Sequence, residues 1–89
     1  MENAKIMAVI KDLVEQGNKA AKKYQEYKEQ FESLECKTAE EYQEKRESLL
    51  CKINSQYGRY RAYNYALSTI LCECGIDKDF TELGFIYNI

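Results

Sequence analysis

The chain has 89 residues, of which 45% are hydrophobic and 31% charged, so it is long enough for one compact domain and too short for two. Its net charge of −2 gives no electrostatic footprint for non-specific binding to nucleic acid or to an anionic membrane. The sequence contains no histidine, which removes the usual general base, the commonest metal-ligand side chain and every Cys-His or Ser-His nucleophile pair.

The first predicted element is a helix over residues 3–34. Apolar and small residues recur there at alternating spacings of four and three, which is the heptad pattern of a helix that packs along its whole length. The residues between them are mostly Ala, Glu, Lys and Gln, which are good helix formers. The positions of this seam are Ile6, Ile10, Leu13, Gly17, Ala20, Tyr24, Tyr27, Phe31 and Leu34.

The N-terminal residues interrupt their apolar positions with charge every few residues, which predicts neither a signal peptide nor a membrane span. We therefore expect a cytoplasmic protein whose four cysteines are reduced, buried or half-buried thiols. Cys72 and Cys74 lie two residues apart on a predicted helix and do not share a face, so they cannot chelate a metal ion without unwinding. We expect no metal and no cofactor.

A second helix is predicted over residues 39–74. Thr38 has an N-cap side chain, and Glu41 completes the spacing of a capping box, in which it would return a bond to the Thr38 amide. Gly75 suits the left-handed position that follows a helix C-terminus. The seam of this helix contains Tyr42, Arg46, Leu49, Ile53, Gln56, Tyr60, Tyr63, Leu67, Ile70 and Cys74.

The short connection between the two helices predicts an antiparallel hairpin. The two seams align when paired residue numbers sum to 73, which places Phe31 beside Tyr42 and Tyr24 beside Leu49. In this register small residues such as Gly17 make room for tyrosine rings of the second helix. The match supports the hairpin, although any two heptad seams agree in one register out of seven.

Residues 77–89 are predicted to form a short helical turn and an apolar tail. Asp77 or Asp79 could cap this turn, Asp79 and Glu82 have capping-box spacing, and Gly84 ends the turn. The last five residues, 85–89, are apolar and β-prone but have no strand to pair with. We expect the tail to fold back over the open end of the hairpin.

Between residues 57 and 74 the second helix is apolar on nearly every side, and such a helix is expected to be buried on every side. One partner helix and a short tail cannot cover it, so a second copy or a different protein is expected to do so. The predicted interface residues are Tyr57, Arg59, Tyr60, Arg61, Tyr63, Tyr65, Leu67, Leu71, Phe80, Phe85 and Tyr87.

These observations predict one all-α domain: a long antiparallel helical hairpin with a short C-terminal turn and tail, completed by dimerisation into a four-helix bundle. The expected function is that of a non-enzymatic module that self-associates and acts by binding a protein partner. No catalytic residue is predicted, because the many carboxylates lie on charged helix faces that are typical of solvated surface.

Direct nucleic-acid binding is an alternative, because residues 56–65 interleave arginine with aromatic rings, a pattern used for phosphate contacts and base stacking. Core packing or a protein interface is favoured, since Tyr60 and Tyr63 lie on the predicted seam. Nucleic-acid binding would weaken steeply as salt rises. It would use Lys19, Lys22, Lys23, Lys52, Arg59 and Arg61.

The segment from Tyr57 to Ala62, followed by Ala66-Leu67 and Ile70-Leu71, resembles the second helix of many short helical proteins encoded by bacteriophages and mobile elements. The resemblance covers about a fifth of the chain. It implies a small accessory protein of the anti-defence type, such as an anti-CRISPR, that inhibits a nucleic-acid-processing complex of the bacterial host. The protein would then act in the cytoplasm of the infected cell.

Overall fold

The computed structural model describes residues 3–87, which form two long antiparallel helices and a folded tail. Helix α1 spans Asn3–Glu32 and helix α2 spans Ala39–Glu73. No strand occurs among the described residues, and both helices end within two residues of the predicted bounds, so the all-α hairpin is confirmed. The molecule is a rod of 60 × 17 × 16 Å. Residues 88 and 89 of the predicted tail lie outside the described residues.

Helix α2 begins at the predicted cap. Thr38 has extended backbone angles (φ −126°, ψ 156°), and its Oγ1 accepts a hydrogen bond from the Glu41 amide at 3.1 Å. The predicted return bond from Glu41 to Thr38 is wrong, because the Glu41 carboxylate pairs with Lys45 Nζ at 3.0 Å. That ion pair is exposed and therefore contributes little to stability.

A Schellman motif ends α2 at the predicted glycine. Gly75 has a φ of +63°, and its amide donates to the Cys72 carbonyl at 3.2 Å. The Ile76 amide donates to the Leu71 carbonyl at 2.9 Å, which completes the motif. The chain leaves the helix in a new direction at this point.

A second Schellman motif turns the tail back along the hairpin. Asp79 and Glu82 form the predicted capping box, since Asp79 Oδ1 accepts from the Glu82 amide at 2.9 Å and Glu82 Oε1 accepts from the Asp79 amide at 3.4 Å. Gly84 ends the turn with a φ of +80°. The Phe85 amide then donates to the Phe80 carbonyl at 2.9 Å. Residues 80–84 therefore form a hydrogen-bonded turn at the predicted place.

The predicted register of the hairpin is wrong, by eight and by four residues in the two ring contacts that test it. The ring of Tyr24 contacts that of Tyr57, with centroids 5.4 Å apart, rather than Leu49. Arg46 lies 5.6 Å from the ring of Phe31, where Tyr42 was predicted. The connecting residues 33–38 run without regular structure beside the start of α2, so the first turns of α2 extend past the end of α1.

The small residue Gly17 receives the ring of Phe85 from the tail, and not a tyrosine of α2 as predicted. A Cβ atom at Gly17 would overlap this ring, with Phe85 Cζ only 2.9 Å away. The ring of Tyr60 stacks on the Phe85 ring, with centroids 5.3 Å apart. The Phe85 ring is therefore enclosed by both helices and is 3% exposed.

The tail covers much of the apolar side of α2 that was expected to need a second protein. Leu67 and Leu71, predicted as interface residues, are buried within the protomer at 0% and 7% exposure. Partly buried residues of the tail pack against the same cluster. The buried members of this core are Ile10, Val14, Ala20, Ala21, Tyr60, Leu67, Leu71 and Phe85. Within the described residues, neither helix carries a run long and apolar enough to cross a bilayer.

Two glycines in the middle of helices give opposite expectations for substitution by alanine. Gly17→Ala places a methyl group against the Phe85 ring, so we expect the free energy of unfolding to fall by about 1–3 kcal/mol. Gly58→Ala meets no heavy atom within 4 Å, so we expect a gain of about 0.5–1 kcal/mol from helix propensity. Urea unfolding followed by circular dichroism measures both. Equal effects in the two variants would contradict the position of Phe85.

Thr38→Ala removes the side-chain cap of α2 and is expected to lower the free energy of unfolding by about 1 kcal/mol. Ser55→Ala is the matched control, because Ser55 is an exposed residue inside the same helix. Thermal melts of the two variants compare them directly. A melting temperature of Thr38→Ala equal to that of Ser55→Ala would remove the cap assignment.

Candidate protein-binding face

The tail is held in place by hydrogen bonds to its backbone on both sides of Phe85. Asn18 Nδ2 donates to the Gly84 carbonyl at 2.9 Å, and the Ile86 amide donates to Asn18 Oδ1 at 2.7 Å. The Tyr60 hydroxyl donates to the Ile86 carbonyl at 2.7 Å. These three bonds are called the tail clasp below. Helix α1 contributes one side chain to it and helix α2 the other.

Aromatic rings continue from the clasp to the surface. The Phe80 ring meets the Phe85 ring edge to face, with centroids 5.3 Å apart. Tyr87 meets the other side of Phe80 in the same way, at 5.6 Å. Tyr87 is 54% exposed, so its ring has one side fixed against the tail and the other open to solvent. The buried core is thereby connected to an exposed aromatic ring.

Two tyrosines and one arginine are exposed on one side of α2. Tyr65 is the most exposed, at 75%, and Tyr57 is 40% exposed. Arg61 lies between them in the sequence, and its guanidinium is 5.9 Å from the centre of the Tyr57 ring. Tyr57, Arg61, Tyr65, Ser68 and Tyr87 are called the tyrosine face below.

Two adjacent grooves run along the tyrosine face, and Ser68 lines both. The groove nearer the middle of α2 has a volume of about 350 Å³ and is lined by Tyr57, Tyr60, Arg61, Asn64, Tyr65 and Ser68. The groove beside the tail has a volume of about 500 Å³ and is lined by Ser68, Leu71, Lys78, Asp79, Phe80, Thr81 and Tyr87. The two grooves, which share Ser68 and have aromatic rings in their walls, are together called the depression below.

The structure divides the predicted interface residues into three groups. One group is buried within the protomer and consists of Tyr60, Leu67, Leu71 and Phe85, although Tyr60 and Leu71 also line the bottom of the grooves. A second group belongs to the tyrosine face or its grooves and consists of Tyr57, Arg61, Tyr65, Phe80 and Tyr87. Arg59 and Tyr63 lie elsewhere, in a cleft between the two helices. Asn18 was not predicted to bind the tail. Its only sequence signal was a side-chain carboxamide directly after the seam residue Gly17.

The cleft between the helices, called the interhelical cleft below, collects several of the cations assigned to the nucleic-acid hypothesis. Its volume is about 120 Å³, and its lining residues are Gln16, Lys19, Ala20, Lys23, Gln56, Arg59 and Tyr63. Lys52 lies away from it, 5.6 Å from the ring of Tyr27. Arg61 also lies away from it, against Tyr57. The six predicted cations are therefore not one continuous surface.

The expectation of buried or half-buried thiols is wrong for three of the four cysteines. Cys51, Cys72 and Cys74 are exposed, and Cys36 is half-buried. Helix α2 ends at Glu73, so Cys74 lies at its C-cap. All four thiols are free. Among residues 3–87, no three His, Cys, Asp or Glu side chains come together in an arrangement that could hold a metal ion.

Comparison of the chain with protein-family models, with curated proteins and with solved structures finds no match.

The Tyr60 hydroxyl is a titratable group of the tail clasp, so the free energy of unfolding is expected to depend on pH. Burial raises the pKa of its hydroxyl, because the folded protein disfavours the phenolate. A raised pKa contributes stability that is complete below the unfolded value of about 10 and is lost as the pH rises through the folded value. Tyr60→Phe is therefore expected to lose about 1 kcal/mol at neutral pH and to show a shallower loss of stability above about pH 10.

Urea unfolding at a series of alkaline pH values checks this expectation. Tyr65→Phe is the control, because it removes a hydroxyl from an exposed ring and is expected to keep the wild-type stability and profile. A wild type and a Tyr60→Phe variant with parallel pH profiles would contradict the role of the Tyr60 hydroxyl.

Proposed function

We propose that the protein is a non-enzymatic module that acts by binding a protein partner through the tyrosine face. The observation that carries this proposal is the grouping of Tyr57, Tyr65 and Tyr87 at 40%, 75% and 54% exposure along the two adjacent grooves of the depression. Exposed apolar patches of this kind are typical of interaction sites. Tyrosine and arginine are also the residue types that dominate binding energy at protein interfaces.

The rings at the edges of the depression are already positioned by the protomer. Tyr57 packs against Tyr24, with centroids 5.4 Å apart, and Tyr87 packs against Phe80 at 5.6 Å. Side chains that are ordered before binding lose less conformational entropy when a partner arrives. A tyrosine has only two side-chain torsions to fix, so it supplies contact area at low entropic cost.

Gly58 supports the same face as a contact surface. It lies three residues before Arg61 and seven before Tyr65, so it shares their side of α2. A glycine inside a helix costs about 1 kcal/mol relative to alanine, and the described residues leave the space above Gly58 empty. Glycine is favoured where another chain or ring approaches the backbone closely. A partner seated on the tyrosine face accounts for a residue that the protomer does not use.

Self-association is part of the proposal, on a smaller surface than the sequence predicted. Leu67 and Leu71 are buried within the protomer at 0% and 7% exposure, so they offer little surface to a second copy. Tyr65 and Gly58 can do so around a two-fold axis, with the ring from each copy seated on the glycine of the other. This contact would repeat between molecules the arrangement that Phe85 and Gly17 form within one.

Two features bear on the alternative functions. The absence of histidine favours a non-enzymatic role over general acid–base or nucleophilic catalysis. Five of the six cations are separated between the interhelical cleft, Tyr27 and Tyr57, which favours protein binding over a continuous nucleic-acid track. An inhibitor of a host nucleic-acid-processing complex, the role implied by the resemblance to phage proteins, would use the tyrosine face to occupy a surface of that complex.

Tyr65→Glu tests the self-association part of the proposal. We expect the wild type to form a dimer at micromolar concentration and Tyr65→Glu to be monomeric, because a buried unpaired carboxylate strongly opposes association. Light scattering coupled to gel filtration measures both masses. Tyr42→Glu is the matched control, since Tyr42 is also exposed, at 42%, but lies near the loop end and outside the tyrosine face.

Two results would count against this proposal in different ways. A folded wild type that stays monomeric over the whole concentration range would reject self-association. Capture of a protein partner that is equally strong for wild type, Tyr65→Glu and Tyr42→Glu would reject the tyrosine face as the contact surface.

A further inference from the structure

We infer that the interhelical cleft is a binding site for one phosphate-sized oxyanion, either free or carried as a phosphate group on a nucleotide or strand. Lys19 and Lys23 reach it from α1, and Arg59 reaches it from α2. The cleft shares no lining residue with the tyrosine face. The inference is therefore independent of the proposed protein-binding function.

The charge in the cleft is entirely positive, although acidic residues outnumber basic ones by 15 to 13 in the chain. No carboxylate lines the cleft. None of its three cations forms an ion pair or lies over an aromatic ring within the part of the chain that the structure describes. Other cations have such neighbours there, as Lys45 has in Glu41 and Arg61 in Tyr57.

The spacing of the cations also places like charges beside one another. Lys19 and Lys23 are four residues apart and lie one above the other on α1, an arrangement of like charges that destabilises a helix. Arg59 adds a third positive charge from the facing helix. An anion in the cleft would neutralise this repulsion and favour the observed arrangement.

The donors in the cleft suit a phosphate group in particular. A guanidinium presents a planar fork of N–H groups that matches two phosphate oxygens, while lysine ammonium groups act as point charges. The half-buried carboxamides of Gln16 and Gln56 and the hydroxyl of Tyr63 are further hydrogen-bond donors at the same place. Three cations favour a doubly charged phosphate over a singly charged carboxylate.

The cleft has room for the phosphate group and not for a larger ligand. Its volume is about 120 Å³, and its floor includes Ala20, which is 3% exposed. Any organic part of the ligand would have to extend out of the cleft into solvent. The site would therefore recognise the phosphate and not the group that carries it.

Isothermal titration calorimetry with sodium phosphate, pyrophosphate and a short single-stranded oligonucleotide tests the inference, against sodium acetate at matched ionic strength. We expect saturable binding of phosphate or pyrophosphate by the wild type and weaker binding of acetate. Lys23→Gln and Arg59→Gln are each expected to weaken binding by about tenfold, the typical effect of losing one charge-assisted hydrogen bond.

Lys22→Gln is the matched control, because Lys22 is the exposed neighbour of Lys23, carries the same charge and does not line the cleft. It is expected to bind phosphate as the wild type does. Circular dichroism melts confirm that all three variants are folded.

The titration with the oligonucleotide shows whether the bound phosphate group is free or part of a strand. Tighter binding of the oligonucleotide with the same dependence on Lys23 and Arg59 would assign the site to a phosphate within a strand, and binding of the inorganic anions alone would assign it to a small anion. Equal weakening by Lys22→Gln and Lys23→Gln would show diffuse electrostatic attraction. That result, or no saturable binding of phosphate or pyrophosphate by the wild type, would overturn the inference.

Discussion

The seat of the Phe85 ring between Gly17 and Tyr60 is the contact on which the rest of the structure depends. A two-helix hairpin has only one interface, and it leaves a large part of each helix without an apolar neighbour. The tail closes one side of the hairpin by inserting this ring and by hydrogen-bonding its backbone to Asn18 and Tyr60. Leu67 and Leu71 are buried beneath this arrangement, whereas Tyr57 and Tyr65 of the tyrosine face stay exposed on α2.

The helices and their ends were predictable because their signals are local. Thr38, Gly75 and Gly84 each act through backbone positions no more than a few residues away, so their roles are readable from a short stretch of sequence. The heptad spacing similarly identified both packed faces. It could not identify the register, because sliding two heptad seams by seven residues aligns them again. In the structure the α1 rings that test the register each face a residue of α2 that lies later in the sequence than predicted. The connecting residues 33–38 accommodate this shift.

The tail clasp and the candidate sites depend on contacts that the sequence spacing does not encode. Asn18 and Ile86 are 68 residues apart, and no periodic pattern relates a side chain on α1 to a backbone amide in the tail. The sequence spacing also gives no position for the tail, which is why some predicted interface residues are buried and others exposed. Hydrophobicity selected Leu67 and Tyr65 alike, but only the position of the tail determines that one is buried and the other is exposed. The interhelical cleft likewise requires the observed register to bring Arg59 opposite Lys19.

The distribution of buried side chains along the rod has a consequence for its internal motion. Between residues 22 and 59, only Leu49 is a buried hydrophobic residue, whereas the end that carries the tail contains all the others. Local opening requires least free energy where few apolar contacts must be broken. Amide hydrogens near the loop would therefore exchange with solvent through partial opening, while those beside the tail would exchange only when the whole molecule unfolds. The rod has a firm end that presents the tyrosine face and a compliant end that can bend without disturbing it.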